Sequence, residues 1–267
     1  MAKLPEGLLH NQFTHSEKIM ADITADELKS LKKEFQPLVG LRVDWLALPQ
    51  RALPGFEPSQ IAVIVNTILD AALPQIQLLA TSPENRTKLE QIGLSKSPGQ
   101  VGEREQYPDY IHKSGYRVEL KGLFVDNADL KFKRPPTRRE PSARLKENVT
   151  LYKVDAAKDA LMLLAVQLQD FSGTCHPVIV DLALFSMIRC IRARDERLKE
   201  AGGRWHKGIA QVVKKTSMSK FRAGSSLKDS DFEKDTNFGK LKRIPYKPLQ
   251  DFMRKHGAIG NNDADES

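Results

Sequence analysis

Apolar residues recur at helical spacing through the first third of the chain. Ile19, Ile23, Leu28, Leu31 and Phe35 lie along one stripe, and Thr14 or Ser16 stands where a cap is wanted. The spacing predicts a helix over residues 15–35. Residues 41–48 mix apolar and charged positions and support no assignment. Three prolines between Pro49 and Pro58 predict a loop. Over Gln60–Ala72, Ile61, Ile64, Val65, Ile68 and Leu69 share one face, a second helix that ends or kinks near Pro74. A further helical stretch reaches Leu79. Residues 81–102 are polar and are expected to cross the surface, with one short helix near Asn85–Ile92.

From Tyr107 the apolar period becomes two. Tyr107–Ile111 and Tyr116–Val125 are predicted strands. Residues 131–148 are basic and broken by Pro135, Pro136 and Pro141. Another element starts within Asp155–Asp159, and the apolar run Leu161–Leu168 fits strand or helix equally. Pro177–Ile188 opens as a buried strand and passes into a helix over Arg189–Ala201, stopped by Gly202-Gly203. Residues 204–257 are turn-rich with few long apolar runs. The acidic end, Gly260 to Ser267, is expected to be disordered. No internal repeat is visible. We therefore expect one domain over residues 1–257, helical at its N-terminal side and basic at its C-terminal side, and a tail over 258–267.

The two strands around Lys113-Ser114-Gly115 carry the chemistry. A three-residue hairpin loop wants positive φ at its last position, and Gly115 supplies it. The register follows. His112 pairs with Tyr116, Ile111 with Arg117, Tyr110 with Val118, and Asp109 with Glu119. Opposed residues have Cβ atoms about 4.5–5.5 Å apart. Lys121 shares their face, because side chains alternate along a strand. Two carboxylates at that separation repel unless a cation lies between them. Mg2+ is the natural one: it takes one or two carboxylates, keeps waters and completes its shell with phosphate. Lys121 adds a compact cation for a water or a phosphate oxygen. These are the parts of a phosphodiester hydrolase.

The chain's 267 residues suffice for a substantial core. At 40% hydrophobic and 28% charged it has ordinary globular composition. No apolar run is long enough to span a membrane, and Met1–Gly7 lacks a signal-peptide pattern, so a cytoplasmic protein is expected. Cys175 and Cys190 lie in no metal-type spacing and are expected to be buried thiols. His176, Trp205 and His206 are expected in packing or surface roles. The net charge of +8 points to a polyanionic partner, and no membrane anchor accompanies it. Two segments concentrate the charge. Lys131, Lys133, Arg134, Arg138 and Arg139, followed by Arg144 and Lys146, could grip phosphates beside the hairpin. Arg204, Lys207, Lys214, Lys215, Lys220, Arg222, Lys240, Lys242 and Arg243 form a second basic region, suited to reading bases. It has no helix-turn-helix and no zinc-finger spacing.

Pro108-Asp109, nine residues, then Glu119-Leu120-Lys121 resembles the signature of the PD-(D/E)XK nuclease superfamily, and in size and style the type II restriction endonucleases above all. The motif covers residues 108–121, and a looser likeness extends to about residue 188. The resemblance implies an α/β fold with a restriction-endonuclease-like core, a central mixed β-sheet flanked by helices. It implies that Asp109 and Glu119 bind Mg2+, that the Leu120 carbonyl is a further ligand, and that Lys121 activates water or stabilises charge. It implies an added acid from the upstream helix, for which Asp70 and Glu90 are candidates.

The leading expectation is a site-specific endonuclease cutting double-stranded DNA as a homodimer on a two-fold site. A repair or recombination nuclease of the same superfamily is the first alternative, although its Gln-x-x-x-Tyr pattern is absent. A non-catalytic DNA-binding protein is the second. Phosphate-loop, serine-hydrolase and zinc-protease motifs are all missing.

Overall fold

The computed structural model describes residues 21–73, 89–90, 92–98, 107–133, 143–146 and 149–259. In chain order these give α1 (Ala25–Phe35), β1 (Leu48–Pro49), α2 (Pro58–Ala72), β2 (Leu94–Lys96), β3 (Tyr110–His112), β4 (Arg117–Val125), β5 (Asp159–Phe171) and β6 (Thr174–Ser186). Then follow α3 (Met187–Glu200), β7 (Arg204–His206), β8 (Ile209–Val213), α4 (Met218–Arg222), β9 (Phe232–Asp235) and α5 (Lys247–Lys255). The fold is α/β, built on a mixed six-stranded sheet in the order β1-β6-β5-β4-β3-β2. Only β4 and β5 run parallel; every other pair in it is antiparallel.

The sheet is covered on both faces. Leu31 and Phe35 of α1 and Ile61, Val65 and Leu69 of α2 pack on one side, over Val118, Leu120, Met162 and Leu164. Ile191 of α3 and Leu249 and Phe252 of α5 pack on the other, over Leu123, Leu161 and Leu163. The central β5 is therefore apolar on consecutive positions rather than alternate ones. This is why Leu161–Leu168 carried no strand period and yet is a strand. Ser172 and Gly173, both with positive φ, close a two-residue turn that returns the chain along β6.

Several expectations need correction. The first helix starts at Ala25, not near residue 15, because Thr24 and Glu27 form a capping box there; residues 1–20 lie outside the described residues. A 3-10 turn occupies Gln50–Gly55 within the proline-rich loop. On α2, Ile61, Val65, Leu69 and Ala72 are buried, while Ile64 points outward at 41% exposure. Leu94–Lys96 is a strand where a polar surface crossing was expected. The helix near Asn85–Ile92 falls mostly outside the described residues, with Leu89 and Glu90 helical. The C-terminal third is more ordered than its sequence suggests: β7, β8 and β9 form a second antiparallel sheet, and α5 closes the core. Ile259 is buried, so the tail expected from residue 258 cannot begin before 260; residues 260–267 lie outside the described residues. Among the described residues no helix is long and apolar enough to cross a membrane.

Candidate functional site

The hairpin has the predicted register as far as Tyr110–Val118, but the expected strand from Tyr107 and the expected Asp109–Glu119 pair are not part of the ladder. Gly115 sits at φ +86, its N–H donates to the His112 carbonyl, and the His112 N–H donates to the Tyr116 carbonyl. Ile111 faces Arg117 and Tyr110 faces Val118. Strand β3 begins only at Tyr110, so beyond Val118 the edge of β4 loses its neighbour. Backbone groups alternate between the two edges of a strand. Those of Arg117 turn to β5's side, where its N–H donates to the Lys158 carbonyl. Those of Leu120 turn to the open edge.

Asp109 fills the gap: its Oδ2 accepts the Leu120 N–H at 2.7 Å. Since N–H and C=O of one strand residue point the same way, the Leu120 carbonyl also faces this opening. Lys121 Nζ lies 2.5 Å from Glu119 Oε1 and 3.9 Å from Asp109 Oδ2. The two acids and the lysine are thus one cluster.

Glu119 is 7% exposed, and its Oε2 is buried without a hydrogen-bond partner among the described residues. Burial pushes its carboxyl up to about 7; the Lys121 ammonium opposes this, and the nearby Asp109 charge adds to it. Burial works against the Lys121 ammonium, but Glu119 and then Asp109 outweigh it, so the lysine's pKa is raised and it stays charged.

Asp70 joins from above the sheet. It lines one cleft with Asn66, Asp109, Leu120, Lys121 and Ala143. The cleft is about 240 Å³, below the roughly 300–1,000 Å³ of a drug-sized site and of a scale for a phosphate group with waters. Asp70 Oδ1 is bound by Lys96 Nζ at 2.8 Å and by the Tyr110 hydroxyl at 2.7 Å. Burial and then the Asp70 hydrogen bond push the Tyr110 phenol upward, so it serves as a donor. Glu90, the other helix candidate, is exposed and does not line the cleft. Lys131 and Lys133 are exposed after β4, and Arg144 is exposed next to the cleft residue Ala143. Arg134, Arg138 and Arg139 lie outside the described residues. Trp205 packs edge-on against Phe238, His176 against Phe171, and His206 is exposed.

Three supports escaped the sequence reading. Asn66 precedes Asp70 by one helical turn, and that spacing is the signal that places both over the cleft. Gly122 lets α2 approach, since a Cβ there would sit 1.7 Å from Asn66 Oδ1. Tyr107, two residues before Asp109, donates its hydroxyl to the fully buried Asp159 at 2.5 Å. Asp159 also faces Arg117 Nε at 3.0 Å, and burial lifts its carboxyl to about 6 against these partners. No local sequence pattern announces that long-range pair.

No group of three or more His, Cys, Asp or Glu poised for a metal occurs among the described residues. A hard dication needs fewer protein ligands than that. Two adjacent carboxylates, one with an orphaned buried oxygen, and a carbonyl at an open strand edge are the oxygen donors Mg2+ takes. The residues fit the ion. Compared with family models, with curated proteins and with solved structures, the chain matches none.

Proposed function

We propose that this chain is a Mg2+-dependent endonuclease that hydrolyses phosphodiester bonds in double-stranded DNA, at a specific sequence and as a homodimer, in the manner of a type II restriction enzyme. The observation that carries the reading is the convergence of Asp109, Glu119 and Lys121 at one open strand edge, where Asp109 and Lys121 line one cleft with Asp70. Asp109 and Glu119 would hold the ion, with the Leu120 carbonyl beside them. Bound there, Mg2+ would acidify a water and neutralise charge on the phosphate. Lys121 is held by two carboxylates with its charge retained, and it donates hydrogen bonds to the water or to a phosphate oxygen. Leu69 and Leu164 close the apolar side of the cleft and limit water around the reacting phosphate.

The test is incubation of phage DNA with and without Mg2+. Discrete fragments that vanish with chelator and in Lys121→Ala support the reading. A smear refutes site specificity, and preference for branched over linear duplex favours a repair or recombination nuclease. Intact DNA refutes catalysis. One observation favours a non-catalytic DNA-binding protein instead: Glu119 is already engaged by its own lysine at 2.5 Å. That reading predicts salt-sensitive DNA binding indifferent to chelator and to Lys121.

A further inference from the structure

Positive charge is not spread evenly along this chain. Residues 204–246 hold eleven Lys and Arg against four Asp and Glu, and residues 131–148 hold seven against two. The remainder carries more acid than base. The first of these regions folds around the sheet β7-β8-β9. One face of that sheet is closed, where Trp205 and Ala210 pack with Phe238 and Leu198.

The other face buries Val213, the partner of Phe232, at one end and is polar nearer the hairpin tip. Arg204, Gln211 and Lys234 are direct partners on adjacent strands, so their side chains form a row. His206 projects on the same face, two residues from Arg204. Lys207 (φ 47) and Gly208 (φ 76) make the two-residue turn at the hairpin tip. His206, Lys207 and Lys234 are exposed. The Arg204 guanidinium lies 4.1 Å from the centre of the Phe232 ring. Its Nε donates to Gln211 Oε1 at 2.9 Å, and it pairs with Asp229 at 2.7 Å. Gln211 is therefore oriented through its oxygen and has its amide N–H groups left to offer.

This sheet is wired to the cleft by backbone bonds. The Leu241 N–H donates to the carbonyl of Ala143, a cleft residue, and the Leu145 N–H donates to the Gly239 carbonyl. Arg144 Nη1 donates to the Thr236 carbonyl, one residue past β9.

We infer that the polar face of β7-β8-β9 is the DNA-reading surface, with the β7-β8 hairpin entering the major groove. Lys207 and Lys234 meet phosphates, and Gln211 and His206 meet base edges. A two-stranded ribbon fits a groove about 12 Å wide, and the amide N–H of Gln211 suits the N7 acceptor of a purine there. This rests on the reading of double-stranded DNA as the substrate.

The experiment uses the full chain, a random-sequence duplex DNA pool and chelator, so that cleavage plays no part. Binding is followed by fluorescence anisotropy across a salt series. Lys207→Asn, which tolerates the positive φ, and Lys234→Gln should each flatten the slope of log K against log salt by about 0.9. Lys247→Gln on α5 should leave it unchanged. Sequences selected from the pool by Gln211→Ala should lose preference at one base pair while the salt slope holds. Wild-type binding with the same slope in both lysine variants, or an unaltered selected sequence in Gln211→Ala, overturns this surface and leaves the nuclease reading standing. Absence of any duplex binding by the wild type removes both.

Discussion

Replacing Glu119 with Gln should stabilise this protein increasingly as pH rises from about 4.5 to 7. Burial, more than any charge, lifts the Glu119 carboxyl from 4.5 to about 7. In the unfolded chain the carboxyl releases its proton near the lower value. Between the two, the folded chain holds a proton that the unfolded chain has lost, so stability falls as pH rises across that window and stays low above it. The gap corresponds to roughly 3 kcal/mol at most. Gln stays neutral throughout, and its Oε1 still accepts from Lys121 Nζ, although the lost charge pairing offsets part of the gain. For a chain of this size about 3 kcal/mol is on the order of 6–10 °C in melting temperature. The assay is thermal unfolding of both proteins from pH 4 to 8.5 in chelator. Asp159, also raised by burial, tilts both curves alike, so their difference isolates Glu119. In Mg2+ above pH 7 the wild type should recover stability and the variant should recover less. A difference in melting temperature that is constant across the whole range would refute the assignment of a buried, proton-holding carboxyl.

Gly122→Ala forces Asn66 out of its place, because the new Cβ would meet Asn66 Oδ1 at 1.7 Å; thermal melts should show a cost of about 1 kcal/mol, toward the low end for overpacking since Asn66 can turn away, and Asn66→Ala in the same chain should restore it. Arg194→Met should be far worse. Arg194 is 1% exposed and donates to the Lys146 and Val149 carbonyls and to Asp195, so denaturant unfolding should report a loss of about 3–5 kcal/mol. Cys175 and Cys190 are free and buried, and burial pushes both thiols upward. A colorimetric thiol reagent should therefore react slowly with the native chain and with two thiols once it is unfolded.

The clustering of the candidate residues was more legible than the fold around it, and for a local reason. Asp109, Gly115, Glu119 and Lys121 lie within one hairpin, where turn chemistry sets register and alternation sets the face. Asp70 was reached only through a family resemblance, because its approach to the cleft depends on how α2 packs on β4. The Tyr107–Asp159–Arg117 cluster joins residues up to 52 apart, and such pairing leaves no periodic trace. Burial on both faces erased the strand signal of β5, and the Ser172-Gly173 turn between the two apolar runs went unread. In the C-terminal third, strands of three to five residues are too short to show a period, so a folded sheet read as basic loop.

The single hydrogen bond from Leu120 to Asp109 gives that carboxylate a structural duty. A bare strand edge invites another strand to pair with it, and here one side chain stands in for the missing partner. Truncation to Ala would unseal the edge as well as remove an acid, and self-association would accompany any loss of activity. Asn keeps an oxygen for the Leu120 N–H. Light scattering of the two variants side by side should show aggregation in Asp109→Ala and its absence in Asp109→Asn, so the Asn variant is the one in which lost cleavage reports on chemistry alone.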